Sequence, residues 1–401
     1  MLVNGYHLTY CTNIHPGESW TETFNNLKDY VLNVRSKVSK NTPFGIGLRL
    51  SDKASKTLLE KDSLAIFKKW LEVNDCYIFT MNGFPYGGFH HQSVKDRVHH
   101  PDWTTKARVD YSLRLFEILE HLLPDDMEGG ISTSPLSYKY WKEPRDNNET
   151  VFQKATHNIL KIAAELHRTH QRTNKVLHLD IEPEPDGLLE NTEEVIQWYN
   201  QWLIPQGITY LKEYFNFSDI QAESCLKKHI RLCYDVCHFA IGYEDPHEVF
   251  SRLKTEGIRI GKVQISAALR ANLSEENEER KEIENALNQF VESTYLHQVV
   301  ERDSHGELTG YPDLPHALER LNNPAAKEWR IHFHVPVFLA SYGCLRSTQE
   351  DIVSVLNYLK QERLTDHLEV ETYTWEVLPD EIQLEIVDSV ARELQWVQKR
   401  I

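Results

Sequence analysis

The sequence has little of what marks a secreted or membrane protein. Its 401 residues include only six cysteines, none of them in a CxxC pair, so a disulfide framework is not expected in so long a chain. No basic-then-apolar leader opens the sequence. The longest weakly polar run, 334–345, is too short to span a bilayer and contains Pro336. We therefore expect a cytoplasmic protein with reduced cysteines and no membrane span.

Basic residues are also scarce. The chain carries 44 Lys and Arg against 60 Asp and Glu, a formal net charge of −16. Nucleic-acid-binding proteins present a basic face to phosphates, so we do not expect a nucleic-acid partner. There is no P-loop and no Gly-x-Ser-x-Gly elbow, and Gly45-Ile-Gly47 lacks the third glycine of a dinucleotide site. The expected partner is a small-molecule metabolite.

The sequence does contain a repeated strand-then-helix pattern. Short apolar runs precede segments with apolar residues at helical spacing, such as Ser63–Val73 and Pro379–Gln398. The eight runs are Tyr6–Cys11, Phe44–Leu50, Cys76–Met81, Gly130–Thr133, Val176–Ile181, Ile230–Asp235, Lys262–Ser266 and Leu368–Thr372. This alternation predicts an α/β fold, a (β/α)8 TIM barrel. A doubly wound open sheet is the alternative, because periodicity does not show closure.

One long segment between the seventh and eighth runs interrupts this alternation of strands and helices. A charged helix is predicted at Ser274–Glu292, a loop at Ser304–Pro315 and an additional strand at Ile331–Phe338. We expect a single TIM-barrel domain over residues 1–401. Its mostly helical insertion, at about 267–340 after the seventh strand, is expected to lie on the catalytic face, where the loops after the strands meet.

Polar side chains follow the strands at the mouth where the carboxyl ends of a barrel converge. They are Glu182 and Glu184 after the fifth strand, Asp235 and His238 after the sixth, Gln264 in the seventh, Glu371 after the eighth, His90 and His91 after the third, and Asp303, His305, His332 and His334 in the insertion. Converging carboxylates repel unless a cation lies between them. Mixed oxygen and nitrogen ligands suit Zn²⁺, Mn²⁺ or a similar ion.

Each of these residues also has a purely structural interpretation. Asp235 can cap a helix that starts at residue 236, and the pair Asp303 and His305 can be ordinary loop polarity. We expect only one histidine of the additional strand, His334, to reach the site. His99 and His100 are expected at the surface, and Cys237 is expected to be core packing. The case for a metal site comes from the combination at successive strand ends.

The motifs resemble the xylose isomerase-like barrel superfamily, which joins sugar isomerases and epimerases to endonuclease IV. The matching residues are Glu182-Pro, the stretch Cys-Tyr-Asp235-Val-Cys-His238, and Glu371-Thr. In endonuclease IV the matching Asp and His bind zinc, and Asp303-Ser-His305 resembles that family's Asp-x-His zinc motif. Both branches normally have a metal-binding His where this chain has Gln264.

A longer resemblance covers nearly the whole chain. Asn82-Gly-Phe-Pro-Tyr-Gly-Gly-Phe-His90, Ile-Ser-Thr-Ser-Pro135 and Val-Gln264-Ile-Ser-Ala-Ala-Leu resemble the metabolite traffic protein EboE family. That family is a xylose isomerase-like barrel encoded with a prenyltransferase in operons linked to secondary-metabolite export or processing. The resemblance implies partners from the same operon and leaves the reaction open.

These observations favour a divalent-metal-dependent enzyme of the sugar isomerase or epimerase type, acting on a small polyol or sugar-like metabolite. Zn²⁺ or Mn²⁺ is the expected ion, with Mg²⁺ as an alternative. The expected catalytic residues are Glu182 and Glu371, the metal ligands Glu182, Asp235, His238, His334, Glu371, Asp303 and His305, and the substrate-binding residues Tyr86, His90 and Gln264. A non-catalytic metabolite-binding protein and an endonuclease IV-like phosphodiesterase are the alternatives.

Overall fold

The computed structural model describes residues 1–90, 93–141, 148–375 and 385–401. Its strands are β1 (Leu2–Val3), β2 (Tyr6–Tyr10), β3 (Phe44–Arg49), β4 (Cys76–Asn82), β5 (Gly129–Thr133), β6 (Leu177–Ile181), β7 (Ile230–Asp235), β8 (Ile260–Ile265), β9 (Ala267–Asn272), β10 (Val299–Asp303), β11 (Leu308–Tyr311), β12 (Ala326–Val335), β13 (Ser341–Tyr342), β14 (Leu345–Ser347) and β15 (His367–Val370).

The α-helices are α1 (Trp20–Asn26), α2 (Leu32–Val38), α3 (Asp52–Leu58), α4 (Ser63–Val73), α5 (Lys106–Leu122), α6 (Glu149–Thr173), α7 (Thr192–Trp198), α8 (Ile204–Phe215), α9 (Asp219–His229), α10 (Val236–Ile241), α11 (Pro246–Glu256), α12 (Asn277–Asn288), α13 (Leu314–Leu318), α14 (Gln349–Gln361) and α15 (Ile386–Gln398). Helix α4 has the predicted bounds. The predicted start of the last helix, Pro379, lies outside the described residues.

Eight parallel strands form the barrel. The larger sheet runs β1-β2-β15-β8-β7-β6-β5-β4-β3, with β1 antiparallel to β2 at its edge. Its ends meet through a parallel backbone bridge between Cys11 and Gly47. The Thr9 hydroxyl completes the seam, since it donates to Gly45 O (2.7 Å) and accepts from Gly47 N (3.0 Å). The predicted TIM barrel is therefore confirmed, and the open sheet is excluded.

Apolar and polar residues alternate along β6, which explains how a barrel strand can have a polar inner face. In β6, the buried Leu177, Leu179 and Ile181 join the main hydrophobic core. The intervening His178 and Asp180 form a buried pair with each other, 2.6 Å apart. Side chains alternate between the two faces of a strand, so the apolar face packs under the helices and the polar face fills the barrel. We call the carboxyl ends of the barrel strands the upper end and the amino ends the lower end.

The long segment between β8 and β15 is built mainly from strands. It forms a six-stranded sheet in the order β11-β10-β12-β9-β14-β13, whose paired strands are all antiparallel. Besides α14, which follows this sheet, the described residues of the segment include the short helices α12 and α13. The prediction of a mostly helical insertion is thus wrong, although its charged helix and its additional strand are present. The loop predicted at 304–315 contains β11. This strand was not predicted because an exposed edge strand lacks the apolar alternation by which a strand is recognised.

The insertion sheet starts at the upper end of the barrel. Only Ser266 separates β8 from β9, so the chain leaves the barrel directly into the second sheet. Strand β12 pairs with β9 and brings its last residues back to the mouth. Within the residues that the structure describes, no helix is both long and apolar enough to cross a membrane.

Candidate metal centre

Three carboxylates meet at the upper end of the barrel. Glu182 follows β6, Asp235 ends β7 and Glu371 follows β15, and all three are buried. An oxygen atom from each lies within 4.8 Å of the others. Burial and the neighbouring acids raise the pKa of Glu182 and of Glu371 well above the ordinary value. Such a cluster carries its full charge only if a cation offsets the repulsion.

Glu371 is held in place by three amide side chains. Its Oε1 accepts hydrogen bonds from Asn13 (2.7 Å) and Asn82 (2.9 Å), and its Oε2 accepts one from Gln264. The Oε1 atom of Gln264 accepts in turn from the Cys233 thiol. Gln264, predicted to bind substrate, therefore orients a carboxylate in this structure, at the position where the resembling families have a metal-binding histidine.

Asp235 caps a helix, which is one of the two interpretations that its sequence context allowed. Its Oδ1 caps helix α10 by accepting from His238 N (3.2 Å), and it also accepts from the Ser266 hydroxyl (2.6 Å). Its Oδ2 has no hydrogen-bond partner among the described residues. Burial favours the neutral acid, but the nearby His238 and His334 outweigh it, so the pKa of Asp235 is lowered. One oxygen is structural, and the other remains for a ligand.

Three imidazoles adjoin the carboxylates, and each has its Nδ1 fixed by an oxygen acceptor. His238 donates to Pro183 O (2.9 Å), His334 to Glu371 O (3.1 Å) and His332 to Gln298 Oε1 (2.9 Å). A carbonyl oxygen only accepts, so the proton is on Nδ1 and the Nε2 lone pair is free. This second interaction is typical of metal-binding histidines. Burial lowers the pKa of His334 to about 4, which keeps it neutral near pH 7.

The free atoms of this cluster fit a cation. Glu182 Oε2, Asp235 Oδ2, His332 Nε2 and His334 Nε2 are buried and have no hydrogen-bond partner among the described residues. Three further groups of ligand-type side chains adjoin the carboxylates: Asp235 with His238 and His334, Glu184 with His238 and His332, and Cys237 with His332 and His334. Buried polar atoms without partners are costly. Each of these four atoms has a lone pair that can bind a cation, so the residues fit one or more divalent ions.

Both histidines of the additional strand reach the site, which corrects the expectation that only one would. His332 and His334 are two residues apart, so they share a face of β12 while Phe333 points away. Their ring centroids are 5.5 Å apart and lie 4.8 and 5.6 Å from that of His238.

The structure does not bring Asp303 and His305 to this centre. They lie where β10 turns into β11, and His305 is exposed. The Asp303 carboxylate caps its own turn, accepting from His305 N (2.7 Å) and Glu307 N (2.9 Å). The resemblance to a zinc motif there does not place these residues among the converging ligand groups, because the motif lies on a hairpin of the insertion sheet.

Two predicted substrate-binding residues, Tyr86 and His90, lie in the loop after β4 (the third barrel strand of the sequence analysis) and do not line the cavity. Tyr86 packs on Tyr111, with ring centroids 5.0 Å apart, and does not line the cavity. His90 Nε2 donates to Asn13 O (2.6 Å), so it supports the backbone of a residue that holds Glu371. His91 lies outside the described residues.

An aromatic roof covers the cluster and leaves a cavity of about 60 Å³. Phe89, Tyr295 and Tyr373 are in mutual contact, with ring centroids 5.2–5.4 Å apart. The loop after β4 contacts the insertion through Thr294 O, which accepts hydrogen bonds from Val94 N (2.7 Å) and Lys95 N (3.0 Å). The cavity therefore has a charged floor and an apolar ceiling.

Several lining residues were not among the predicted site residues. Asn13 follows β2, so applying the strand-end rule to the first strand would have found it. Asn82 ends β4 and is the first residue of the motif 82–90 that resembles the EboE family. His99, expected at the surface, is 2% exposed and pairs with Glu184 at 2.8 Å. No local pattern indicates this burial, because it depends on a loop folding over the barrel mouth. Cys237 is packed with Ile241 and Ala268, as expected.

Comparison with known proteins identifies the fold. No protein-family model and no curated protein sequence match the chain. Among solved structures, a xylose isomerase-like TIM-barrel protein from Mycobacterium smegmatis in complex with magnesium is 8% identical, with a TM-score of 0.50, covering 100% of this chain and 97% of that one. The chain has the xylose isomerase-like TIM-barrel fold.

Two other solved structures are similar over almost their full length. The probable 3-DHS dehydratase AsbF of Bacillus anthracis, involved in petrobactin synthesis, is 11% identical with a TM-score of 0.47. The IolI protein, solved with a bound zinc atom, is 12% identical with a TM-score of 0.47. Each aligns over 98% of this chain and 99% of its own.

Proposed function

We propose that this protein is a divalent-metal-dependent enzyme of the sugar isomerase or epimerase type, acting on a small polyol or sugar-like metabolite. The observation that carries the proposal is the convergence of the buried side chains of Glu182, Asp235, His238, His334 and Glu371, with unpartnered acceptor atoms, beside a cavity that aromatic rings help to line. A divalent ion held by these residues would polarise a hydroxyl or carbonyl oxygen of the substrate. Zn²⁺ or Mn²⁺ suits the mixed ligands, with Mg²⁺ as an alternative.

The two glutamates have different surroundings, which suggests different tasks. Glu371 is held by three amides, so it is suited to remain an oriented anion. Glu182 Oε2 has no partner among the described residues, and burial beside Glu371 raises its pKa. A carboxylate with a raised pKa is a better base near neutral pH. In our proposal Glu182 therefore removes the proton next to the substrate carbonyl and returns it.

The roof supports this chemistry by excluding water. Phe89, Tyr295 and Tyr373 lie over the carboxylates, so the charges act in a medium of low polarity where electrostatic effects are strong. A hydroxylated substrate would meet amide and carboxylate groups on the floor and aromatic faces above.

The proposal is tested by exchange of substrate protons with solvent. Metal-loaded protein is incubated in D2O with a panel of hydroxy-aldehydes and hydroxy-ketones, and deuterium next to the carbonyl is measured. We expect incorporation with at least one member, lost by at least about 100-fold in Glu182→Gln. Glu284→Gln, on the exposed face of α12, is the control. No incorporation with any member of the panel would overturn the proposal and leave the non-catalytic binding role.

The other proposals have narrower support. An endonuclease IV-like activity is disfavoured by the net charge of −16, by the small cavity of about 60 Å³ and by the position of Asp303 and His305. A role in secondary-metabolite processing or export, with partners from the same operon, rests on the motifs that resemble the EboE family. Deletion of the gene followed by metabolite profiling tests that role.

A further inference from the structure

A second cavity opens at the lower end of the barrel, opposite the metal centre. It has a volume of about 800 Å³ and is lined by the first residues of β6, β7, β8 and β15 and by helices α9 and α11. Small-molecule sites commonly have volumes of about 300–1,000 Å³. We call it the lower cleft.

The lower cleft is basic within an acidic protein. The chain as a whole has more acidic than basic residues, 60 against 44. The residues lining the cleft reverse this balance, with five basic side chains against three acidic ones. They are Lys227, Arg231, Lys254, Arg259 and Arg363 against Glu128, Glu223 and Asp366.

Two of the arginines retain unused donors. Arg231, whose side chain is 7% exposed, bonds Lys228 O through Nε (2.9 Å) and Glu128 through Nη1 (2.7 Å), but its Nη2 is buried and has no hydrogen-bond partner among the described residues. The exposed side chain of Arg259 makes no hydrogen bond or ion pair with the part of the chain that the structure describes. The other basic groups are already neutralised: Lys227 pairs with Glu223, Lys254 with Glu362 and Arg363 with Asp366.

Two buried histidines and an apolar rim complete the lower cleft. His178 and His367 stack at 5.7 Å, and neither His178 Nε2 nor His367 Nδ1 has a hydrogen-bond partner among the described residues. At the rim, Ile220 is 81% exposed, although it is a large apolar side chain. The cleft therefore offers cationic donors and an exposed apolar side chain in one lining.

We propose that the lower cleft binds a small organic anion through Arg231 and Arg259, with a phosphate or carboxylate group at the arginines and an apolar part against Ile220. Planar guanidinium groups match both kinds of anion. The proposed site is independent of the metal centre, since no residue lines both cavities.

The experiment is a calorimetric titration of the full-length protein with phenyl phosphate, benzoate and inorganic phosphate, against sodium chloride at equal ionic strength. The titration is repeated after chelator treatment, so that binding at the metal centre is recognised. Tighter binding of phenyl phosphate assigns a phosphate ligand, and tighter binding of benzoate assigns a carboxylate. We expect saturable binding that persists after chelation.

Three variants locate the bound anion. Arg259→Gln should weaken binding by about tenfold, as expected for the loss of one charge-assisted contact, and Arg231→Gln by at least as much. Arg252→Gln is the matched control, because Arg252 is exposed on α11 but pairs with Glu193 outside the cleft. Since Arg231 also pairs with Glu128, the conclusion rests on Arg259. Absence of saturable binding, or equal weakening in Arg252→Gln, overturns the proposal.

Discussion

At the upper end of the barrel, buried acidic groups and imidazoles line a small cavity, whereas at the lower end basic side chains line a much larger cleft. Glu182, Asp235 and Glu371 lie beneath a roof of aromatic rings, in a cavity of about 60 Å³. Arg231 and Arg259 lie in a cleft of about 800 Å³ without such a roof. The strands are shared, so the difference comes from the loops: long loops and an inserted sheet cover one end only.

Burial favours the neutral form of these titratable groups at both ends of the barrel. At the upper end it raises the pKa of Glu182 and Glu371, and it raises that of Glu393, behind the mouth, to about 8. At the lower end it lowers the pKa of His178 and His367 well below the ordinary value. Buried acids therefore cost stability as pH rises above about 4.5, and buried neutral imidazoles cost stability as pH falls below about 6.5.

Between the two ends lies a layer of fully buried polar pairs. Lys262 pairs with Glu369, and His178 pairs with Asp180. The glycines Gly130 and Gly261 make room for the second pair, because a Cβ at either position would overlap Asp180. This layer separates the acidic cavity from the basic cleft.

The largest expected effect comes from breaking that layer. Glu369→Gln leaves the Lys262 ammonium buried without its counter-ion, which should lower the free energy of unfolding by about 3–5 kcal/mol. The double variant Lys262→Met with Glu369→Leu should recover most of the loss, because it removes both charges. Urea unfolding at pH 7 measures both. Equal destabilisation in the single and double variants would contradict the charge explanation.

Glu393 tests the pH response of the upper end. It accepts from Thr372 Oγ1 (2.7 Å) and Val337 N (3.1 Å). Because its folded pKa is raised, wild-type stability should fall between about pH 4.5 and pH 8. Glu393→Gln should remove that fall, gaining up to about 4 kcal/mol over wild type between pH 5 and pH 9. Urea unfolding across this range checks it, with the exposed Glu284→Gln expected to follow wild type. Parallel wild-type and Glu393→Gln curves would refute the assignment.

Asp235 tests whether the upper end holds a metal. Asp235→Asn removes a charged ligand, and metal affinity should fall by more than about 100-fold, beyond the 10–100-fold typical of outer-shell changes. Asp303→Asn is the matched control, because that carboxylate only caps its own turn. Metal content after dialysis against graded chelator measures both. Equal metal retention in the two variants would show that Asp235 is not a ligand.

Gln264 tests the amide support of Glu371. Gln264→Leu removes one of three hydrogen bonds to the carboxylate, so metal affinity should fall by about tenfold. The exposed Gln289→Leu on the insertion should have no effect. Competition with a chelating dye gives the ratio, and an unchanged affinity in Gln264→Leu would mean that Asn13 and Asn82 suffice.

The smallest expected effect is that of salt concentration on the affinities measured at the two ends. Raising sodium chloride from 0.05 to 0.5 M should weaken anion binding in the open lower cleft by about three- to fivefold, because exposed charges are screened. Metal affinity at the upper end should change less, because the ligand-type side chains there are buried. Titrations of the same preparation at both salt concentrations compare the ends directly, and equal salt dependence would contradict the contrast in exposure.

Sequence analysis predicted the barrel closely but the insertion poorly. Each barrel strand alternates an apolar face with a polar one, and the following helix is amphipathic, so the local pattern was enough. The insertion strands lie in an antiparallel sheet with exposed edges, where Leu308–Tyr311 is largely exposed and resembles a loop. The site was predicted where it follows strand ends, as for Glu182, Asp235 and Glu371. It was missed where a distant loop supplies the side chain, as for His99.

The strand-and-helix alternation, the residue types at the strand ends and the overall acidity can be predicted without a structure, because they depend on local order and composition. The membership of the site depends on the fold: His332 and His334 join Asp235 and His238, Asp303 and His305 do not, and Gln264 orients Glu371. Those outcomes depend on how the inserted sheet packs over the mouth. The same is true of the lower cleft: its arginines are dispersed along an acidic chain, and they form a basic surface only because the amino ends of the strands converge.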